Sequence, residues 1–283
     1  MTTTRRLILI FTAILCVASP AARAQTNSKP VMGSLAVEWD SVKATTNEHG
    51  SVRKFFDAPT ATLNRLECHV TTLNPGMASH PPHHHPEEEI VVIREGTVEA
   101  LIDGKWIRVG PGSVVFNACN ITHDMRNVGD IPAVYHVFEW HSSLTPARTE
   151  HGDTIEDSKT DLSQATNGIM GPAAIDWNSV EVRTNGYRLS RKFFESRTAT
   201  TDVMEFHSTT VQPGEPARPP VQHAEEEVIV VKEGTVDALV NGEWKTVGPG
   251  SVIFNAANSP HAIRNAGTTP VTYFVLGWHT PAP

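Results

Sequence analysis

Short apolar runs, each closed by a turn signal, dominate the pattern of hydrophobic and polar residues along the chain. The dipeptides Asp103-Gly104 and Asn241-Gly242 each separate two such runs, and this arrangement is a strong signal for a β-hairpin. In the first half, the predicted strands span residues 89–93, 97–102, 106–109, 113–117 and 134–141. No stretch shows sustained helical periodicity, so the sequence predicts an all-β sandwich or barrel.

The same pattern occurs twice, with a constant offset of 138 positions, as from Trp39 to Trp177. Between Arg53 and His141, 47 of 89 positions are identical in the second copy, and no gap is needed. The chain is therefore a tandem duplication, because chance similarity between two β-rich segments does not reach this level. We predict two related domains at residues 36–141 and 174–280, joined by a polar linker over residues 142–173.

The N-terminus has the pattern of a secretory signal peptide. Arg5 and Arg6 precede an apolar stretch over residues 7–17, which is too short for a permanent membrane anchor. Ala22 and Ala24 frame an A-x-A cleavage signal. We expect residues 1–24 to be removed, residues 25–35 to form a flexible N-terminus, and the protein to be periplasmic or secreted.

Charge narrows the range of partners. The formal net charge is −8, and loss of Arg5, Arg6 and Arg23 with the signal peptide would make it −11. Such a chain is not expected to bind nucleic acid or, after cleavage, an anionic membrane. Cys68 and Cys119 remain after cleavage, and two buried thiols are favoured over a disulfide, because domains of this size need no covalent staple.

A cluster of histidines and glutamates carries the candidate chemistry. His83 and His85 are two residues apart on extended chain, so their side chains converge, and Glu89 keeps the same parity. His123 follows a later strand and reaches the same region from the opposing hairpin. Three imidazoles and one carboxylate suit a divalent transition metal and leave coordination positions for a water or substrate oxygen. The alternative is a solvated histidine-rich loop over a purely structural barrel.

These residues resemble the two sequence motifs of the cupin superfamily. The first motif is matched by Gly76, His83, His85, Glu89 and Gly96, with one extra residue between Gly76 and His83. The second is matched by Gly112, His123 and Asn127, whereas Ala118 and Asn120 stand where that motif has proline and glycine. The resemblance covers both copies and implies two tandem jelly-roll β-barrels. It also implies that His83, His85, Glu89 and His123 bind Mn, Fe, Ni, Zn or Cu.

Neighbouring polar residues have less clear roles. His84 has the wrong parity for the site and is expected to point outward, whereas His80 is either a rim residue or without a role. Glu67, His69 and Thr71 form a polar stripe on one strand. Such a stripe is more typical of a solvent-facing or partner-facing surface.

The second copy keeps only part of the candidate site. His223, Glu227 and His261 correspond to His85, Glu89 and His123, but Val221 stands in place of His83. Two histidines and a carboxylate can still bind a metal, although we expect weaker binding. The alternatives are a vestigial site, a purely structural barrel, or an organic-ligand pocket that Val221 makes more apolar.

Three functions are compatible with this sequence. The first is a metal-dependent enzyme of dioxygenase, lyase or isomerase type acting on a small oxygenated organic molecule, with Glu89 as ligand and candidate proton shuttle. The second is a non-catalytic binding module for a sugar or another small ligand. The third is a structural role in which barrel faces associate into a homo-oligomer. The sequence favours the enzyme, and the fold alone does not choose between these classes.

Overall fold

The computed structural model describes residues 30–148, 168–216 and 218–280. The predicted signal peptide and the middle of the predicted linker lie outside these residues. In the first half of the chain the strands are β1 (Leu35–Val37), β2 (Thr45–Thr46), β3 (Gly50–Ala58), β4 (Arg65–Leu73), β5 (Glu88–Glu95), β6 (Val98–Ile102), β7 (Lys105–Val109), β8 (Val114–Asn117), β9 (Met125–Asn127) and β10 (Ala133–His141). The described helices are short 3-10 turns such as Trp39–Ser41, and none is long and apolar enough to cross a membrane.

The second half repeats the same order of strands. They are β11 (Ala173–Ile175), β12 (Arg183–Asn185), β13 (Arg188–Ser196), β14 (Val203–Val211), β15 (Glu226–Glu233), β16 (Val236–Val240), β17 (Glu243–Val247), β18 (Val252–Asn255), β19 (Ala262–Arg264) and β20 (Val271–His279). Each antiparallel barrel consists of a seven-stranded and a three-stranded sheet, the latter in the order β7-β6-β9 or β17-β16-β19. The predicted all-β fold with two tandem barrels is confirmed.

The two barrels exchange their first strands. β1 pairs with β18 of the second barrel, with Leu35 opposite Phe254, and β11 pairs with β8 of the first barrel, with Ala173 opposite Phe116. The sequence-based boundaries at residues 36 and 174 therefore fall inside strands that belong to the other barrel's sheet. Each exchanged strand is three apolar residues long, which does not indicate which partner it joins.

Residues flanking the exchanged strands are also held in place. Met32, inside the stretch expected to be a flexible N-terminus, is buried and donates a backbone hydrogen bond to the Pro59 carbonyl at 2.7 Å. Gly112 has a φ of +88°, and a Cβ there would lie 2.8 Å from the ring of Trp177. Because Gly112 has no side chain, Trp177 of the second repeat can pack against the first barrel at this position.

The largest buried cluster lies between the barrels and contains side chains from both. It includes Phe116, Phe138 and Trp140 of the first barrel together with Phe206 and Phe254 of the second. Smaller clusters fill the interior of each barrel, between its seven-stranded and three-stranded sheets. Cys68 lies in the shared cluster, Cys119 is also buried, and neither forms a disulfide, as expected.

A buried carboxylate of each barrel is held by a loop of the other. Glu88, at the start of β5, has no exposed surface. It accepts hydrogen bonds from the Thr198 hydroxyl at 2.6 Å, the Thr200 hydroxyl at 2.5 Å and the Ala199 backbone N–H at 3.0 Å. The Thr200 hydroxyl in turn accepts a hydrogen bond from the indole of Trp140 at 2.9 Å. Burial raises the pKa of Glu88, while these donors favour its charged form.

Glu226 repeats this arrangement in the opposite direction. It is likewise fully buried and accepts hydrogen bonds from the hydroxyls of Thr60 at 2.5 Å and Thr62 at 2.6 Å, and from the backbone N–H of Ala61 at 3.1 Å. The indole of Trp278 donates to the Thr62 hydroxyl at 2.9 Å. We call these two arrangements the Glu88 clamp (Glu88 with residues 198–200) and the Glu226 clamp (Glu226 with residues 60–62).

The free energy of unfolding should depend on pH through His136, a buried histidine between the barrels. His136 donates from Nε2 to the Gly250 carbonyl at 2.9 Å, and burial lowers its pKa to about 4. Arg94 lowers that pKa further. An unfolded chain binds a proton at this histidine near pH 6.5, so stability falls as the pH drops from about 6.5 towards 4.

We therefore predict that His136 alone removes about 2 kcal/mol from the free energy of unfolding between pH 7.5 and pH 5. The variant His136→Phe carries the residue that the second copy has at this position, Phe274. Denaturant unfolding of wild type and H136F at both pH values measures the difference, and other titrating groups cancel. Equal losses of stability in the two proteins would contradict this prediction.

Candidate metal centre

The first barrel brings His83, His85 and His123 together at the mouth of its cavity. His83 lies on the loop before β5 and His123 on the loop between β8 and β9, and their backbones exchange hydrogen bonds of 3.1 and 2.8 Å. One ring nitrogen of each of the three histidines lies within 4.8 Å of the others. Their ring centroids are 4.6 to 5.3 Å apart. The structure thus assembles the three predicted imidazoles, and their role as ligands stays a prediction.

Glu89, the second residue of β5, faces the same point. Its Oε1 lies 3.5 Å from His123 Nε2, and its Oε2 lies 3.9 Å from His85 Nε2. The amide of Asn117, opposite Glu89 on β8, donates to Oε1 at 2.5 Å. Burial alone would raise the pKa of Glu89, but His123, His85 and the Asn117 amide hold it below its usual value. The carboxylate is therefore ionised at neutral pH and able to bind a cation.

Hydrogen bonds on the far side of the rings orient two of the histidines. His85 Nδ1 lies 3.0 Å from the Glu87 carbonyl and His123 Nδ1 lies 2.8 Å from the Ile121 carbonyl, so Nδ1 is the protonated nitrogen in each. Each Nε2 then presents its lone pair to the site, as metal-binding histidines do. His123 Nε2 is buried and has no hydrogen-bond partner within the described part of the chain.

These residues fit a divalent transition metal. An orphaned buried nitrogen is costly unless something accepts its lone pair, and a metal ion does so. Burial, reinforced by His123, lowers the pKa of His83 to about 3, and burial also lowers the pKa of His123, so these two rings are neutral at physiological pH. Neutral imidazoles and an ionised carboxylate are the protonation states that metal binding requires.

A cavity of about 410 Å³ opens beside these groups. Its walls include His69, Thr71, Tyr135 and Glu139. The expectation that the polar stripe with His69 faces outward is wrong: the alternate residues of β4, such as Cys68, pack into the core between the barrels. Both faces of β4 are covered, and the polar one lines the cavity. The apolar residues that alternate with this stripe indicate that one face of β4 is buried. They do not indicate whether the polar face meets solvent or a cavity.

The remaining histidines of the cluster have different positions. His80 is an exposed rim residue whose ring centroid is 4.0 Å from that of His83, and its Nδ1 is 3.6 Å from the carboxylate of Asp124. Asp124 was not singled out from the sequence, although it is buried and lines the cavity. His84 is half-buried and is not part of the cavity wall, as its parity predicts.

The second barrel has the same frame with fewer ligands. His223, Glu227 and His261 converge, with His261 Nε2 3.1 Å from the Glu227 carboxylate. Asn255 donates to Glu227 at 2.9 Å, as Asn117 does to Glu89. Val221 forms the backbone bridge with His261 that His83 forms with His123, so the scaffold for a further histidine is present.

The pocket of the second barrel, about 450 Å³, differs from the one in the first. Val221 is 54% exposed and is not among the residues that line this pocket, and its apolar contribution to a ligand site stays a prediction. Gly277 and Ala262 occupy the positions of Glu139 and Asp124. His207, His279 and Glu205 lie in its wall. The duplication has thus kept the frame around Glu227 while changing the side chains that a ligand would meet.

Comparisons with known proteins agree with this architecture. A model of the cupin domain matches residues 69–139 and again residues 207–277, which together make up half of the chain. The solved structure of the protein Ylba from E. coli has a TM-score of 0.68 at 12% identity, with 91% of this chain and 96% of that chain covered. No curated protein matches this sequence significantly.

Two oxalate decarboxylases have a similar fold. The enzyme from Lactobacillus farciminis, solved as a formate complex, has a TM-score of 0.64 at 13% identity, with 90% of this chain and 89% of that chain covered. The enzyme from Bacillus subtilis, a protein with Mn(II) centres, has a TM-score of 0.63 at 13% identity, with 90% and 80% covered. At such low identities the likeness concerns the fold alone.

The intact backbone bridge at Val221 predicts that one substitution strengthens the second site. In a His123→Ala background, which disables the first site, Val221→His should increase the Mn²⁺ affinity of the second barrel about tenfold or more. Gln222→His is the matched control, because it corresponds to His84 and points away from the site. Isothermal titration with Mn²⁺ measures the affinities. Equal affinities in the V221H and Q222H proteins would contradict the proposed frame.

Proposed function

Because the chain belongs to the cupin family, we propose that it is an exported metal-dependent bicupin whose first barrel acts as an enzyme on a small oxygenated organic molecule. The dioxygenase, lyase and isomerase types all fit this proposal. The observation that carries it is the convergence of His83, His85, Glu89 and His123 beside a cavity of about 410 Å³. A cavity of this volume admits a small molecule at the position where the four groups meet.

The four converging groups would hold the ion, and when bound it would supply Lewis-acid chemistry at a substrate oxygen atom. Glu89 has a second role as candidate proton shuttle. Its Oε1 is held by Asn117, whereas Oε2 has the larger distance from the neighbouring histidine and can accept a proton. Tyr135 lines the cavity, and burial raises its pKa, so it remains a neutral hydroxyl able to orient a polar substrate.

His69 would supply a charged donor in the same wall. Burial opposes its protonation, but the carboxylate of Glu67, 2.8 Å from Nδ1, raises the pKa of His69 above its usual value. Arg148 also lines the cavity and donates to Glu87 at 3.0 Å. Donors and metal-binding groups that line the same cavity would fix a substrate through two of its oxygen atoms.

Metal analysis tests this proposal. Wild-type protein purified without chelators should contain about one transition-metal ion per chain or more, and His123→Ala should lose the ion of the first barrel. His261→Ala should retain it, since His261 belongs to the second barrel. Mass spectrometry of the metals identifies the ion. The proposal fails if wild type contains no stoichiometric transition metal, or if H123A and H261A lose equal amounts of a single bound ion.

The alternative is a non-catalytic module that binds a sugar or another small ligand. The observation that favours it is the second barrel, which keeps a pocket of about 450 Å³ although it lacks the equivalent of His83. Product formation from a panel of sugars, phenols and small carboxylic acids distinguishes the two functions. Turnover by wild type that is lost in His83→Ala supports the enzyme, and saturable binding without turnover supports the module.

Export is the remaining part of the proposal and rests on the N-terminal sequence. We predict that protein recovered from the periplasm or medium of an export-competent host begins at Gln25. Replacing Ala24 by Lys should block this cleavage. N-terminal sequencing measures the start of the chain. A cytoplasmic product that begins at residue 1 would contradict export.

A further inference from the structure

The segment that carries two of the proposed ligands is anchored from outside its own barrel. His85 and Glu89 point into the cavity. Glu88, which directly precedes Glu89, is fully buried and points to the second barrel. Its carboxylate is held by residues 198–200, at distances of 2.5 to 3.3 Å. Glu88 also lies directly opposite Trp140 in the sheet, and the indole of Trp140 donates to the Thr200 hydroxyl.

We infer that residues 198–200 of the second barrel position the metal centre of the first barrel by holding Glu88. This inference rests on the proposed function, since it assigns Thr198 and Thr200 as positioning residues for the proposed ligands. Neither threonine lines the cavity of the first barrel. They act through the peptide backbone, because Glu88 and Glu89 are consecutive and a displacement of one moves the other.

A buried carboxylate that loses hydrogen-bond donors raises the free energy of the folded protein. Glu88 has no exposed surface, so water cannot replace the threonine hydroxyls if they are removed. The backbone N–H groups of Ala199 and Thr200 still donate to it, but two of its four hydrogen bonds are lost, and we expect the start of β5 to shift until the carboxylate has other donors. Metal ligands have to be held within about 0.5 Å of the geometry that the ion requires, so a shift of this kind weakens binding. Sheet pairing with Asn117 of β8 and Glu139 of β10 also holds the backbone of Glu89, and the clamp adds to this anchoring at Glu88, where β5 begins.

The reciprocal clamp provides a matched control. Thr60 and Thr62 hold Glu226, which precedes Glu227 in the second barrel, with nearly the same distances. Removing their hydroxyls perturbs the shared interface to a similar degree, but acts on the other barrel. A general loss of stability therefore affects both variants, whereas a positioning effect on the first site is confined to one.

The experiment measures Mn²⁺ affinity of the full chain in a His261→Ala background, where only the first site remains. Thr198→Val with Thr200→Val should weaken binding about tenfold or more. Thr60→Val with Thr62→Val should leave the affinity within about twofold of the parent, although both double variants lower the Tm. Thr198→Ser with Thr200→Ser keeps both hydroxyls and should restore the parental affinity.

The outcomes separate the inference from the function on which it rests. If the parent protein binds no Mn²⁺, the proposed metal centre is wrong and the inference fails with it. If the parent binds Mn²⁺ but both valine variants weaken binding equally, or neither does, the inference alone is wrong. If the double variant does not fold, Thr198→Val against Thr60→Val makes the same comparison, with about threefold weakening expected for T198V only.

Discussion

Two buried carboxylates, each held by hydrogen bonds from the opposite barrel, are the constraint on which this structure depends. A charged group without exposed surface is tolerated only when hydrogen-bond donors replace its lost water, and residues 198–200 and 60–62 supply those donors to Glu88 and Glu226. The exchange of β1 and β11 and the shared aromatic core add to the same dependence. Neither barrel is therefore a complete unit, and the chain is better regarded as one body with two cavities.

Within this symmetric body the two sites are unequal. Both keep an asparagine beside the glutamate and a backbone carbonyl behind each of two histidines. They differ in the side chains that meet a ligand, most clearly at His83 and Val221. The second barrel can lose a ligand and still be required, since its loop 198–200 satisfies the carboxylate next to Glu89. The retention of a modified copy then has a physical reason that does not depend on its own binding activity.

Features that a local pattern encodes could be predicted from the sequence. Side chains alternate along extended chain, which predicted that His83, His85 and Glu89 lie on one side. The constant offset between the copies predicted that Val221 is the equivalent of His83. Features that depend on long-range pairing could not be predicted. Nothing in residues 35–37 indicates a partner in the other barrel. The sequence also does not distinguish Glu88 from Glu87 and Glu89, although their side chains face different surroundings in the structure. His69 was misread for a related reason, because both faces of β4 are covered.

In the proposed division of labour, the first barrel holds the metal and the second barrel supports it. Anomalous diffraction from crystals grown with Mn²⁺, recorded on either side of the manganese absorption edge, shows which barrel binds the ion. We expect a strong peak among His83, His85, Glu89 and His123, and a weak peak or none beside His223, Glu227 and His261. Peaks of equal height in both barrels, or a peak in the second barrel alone, would contradict it.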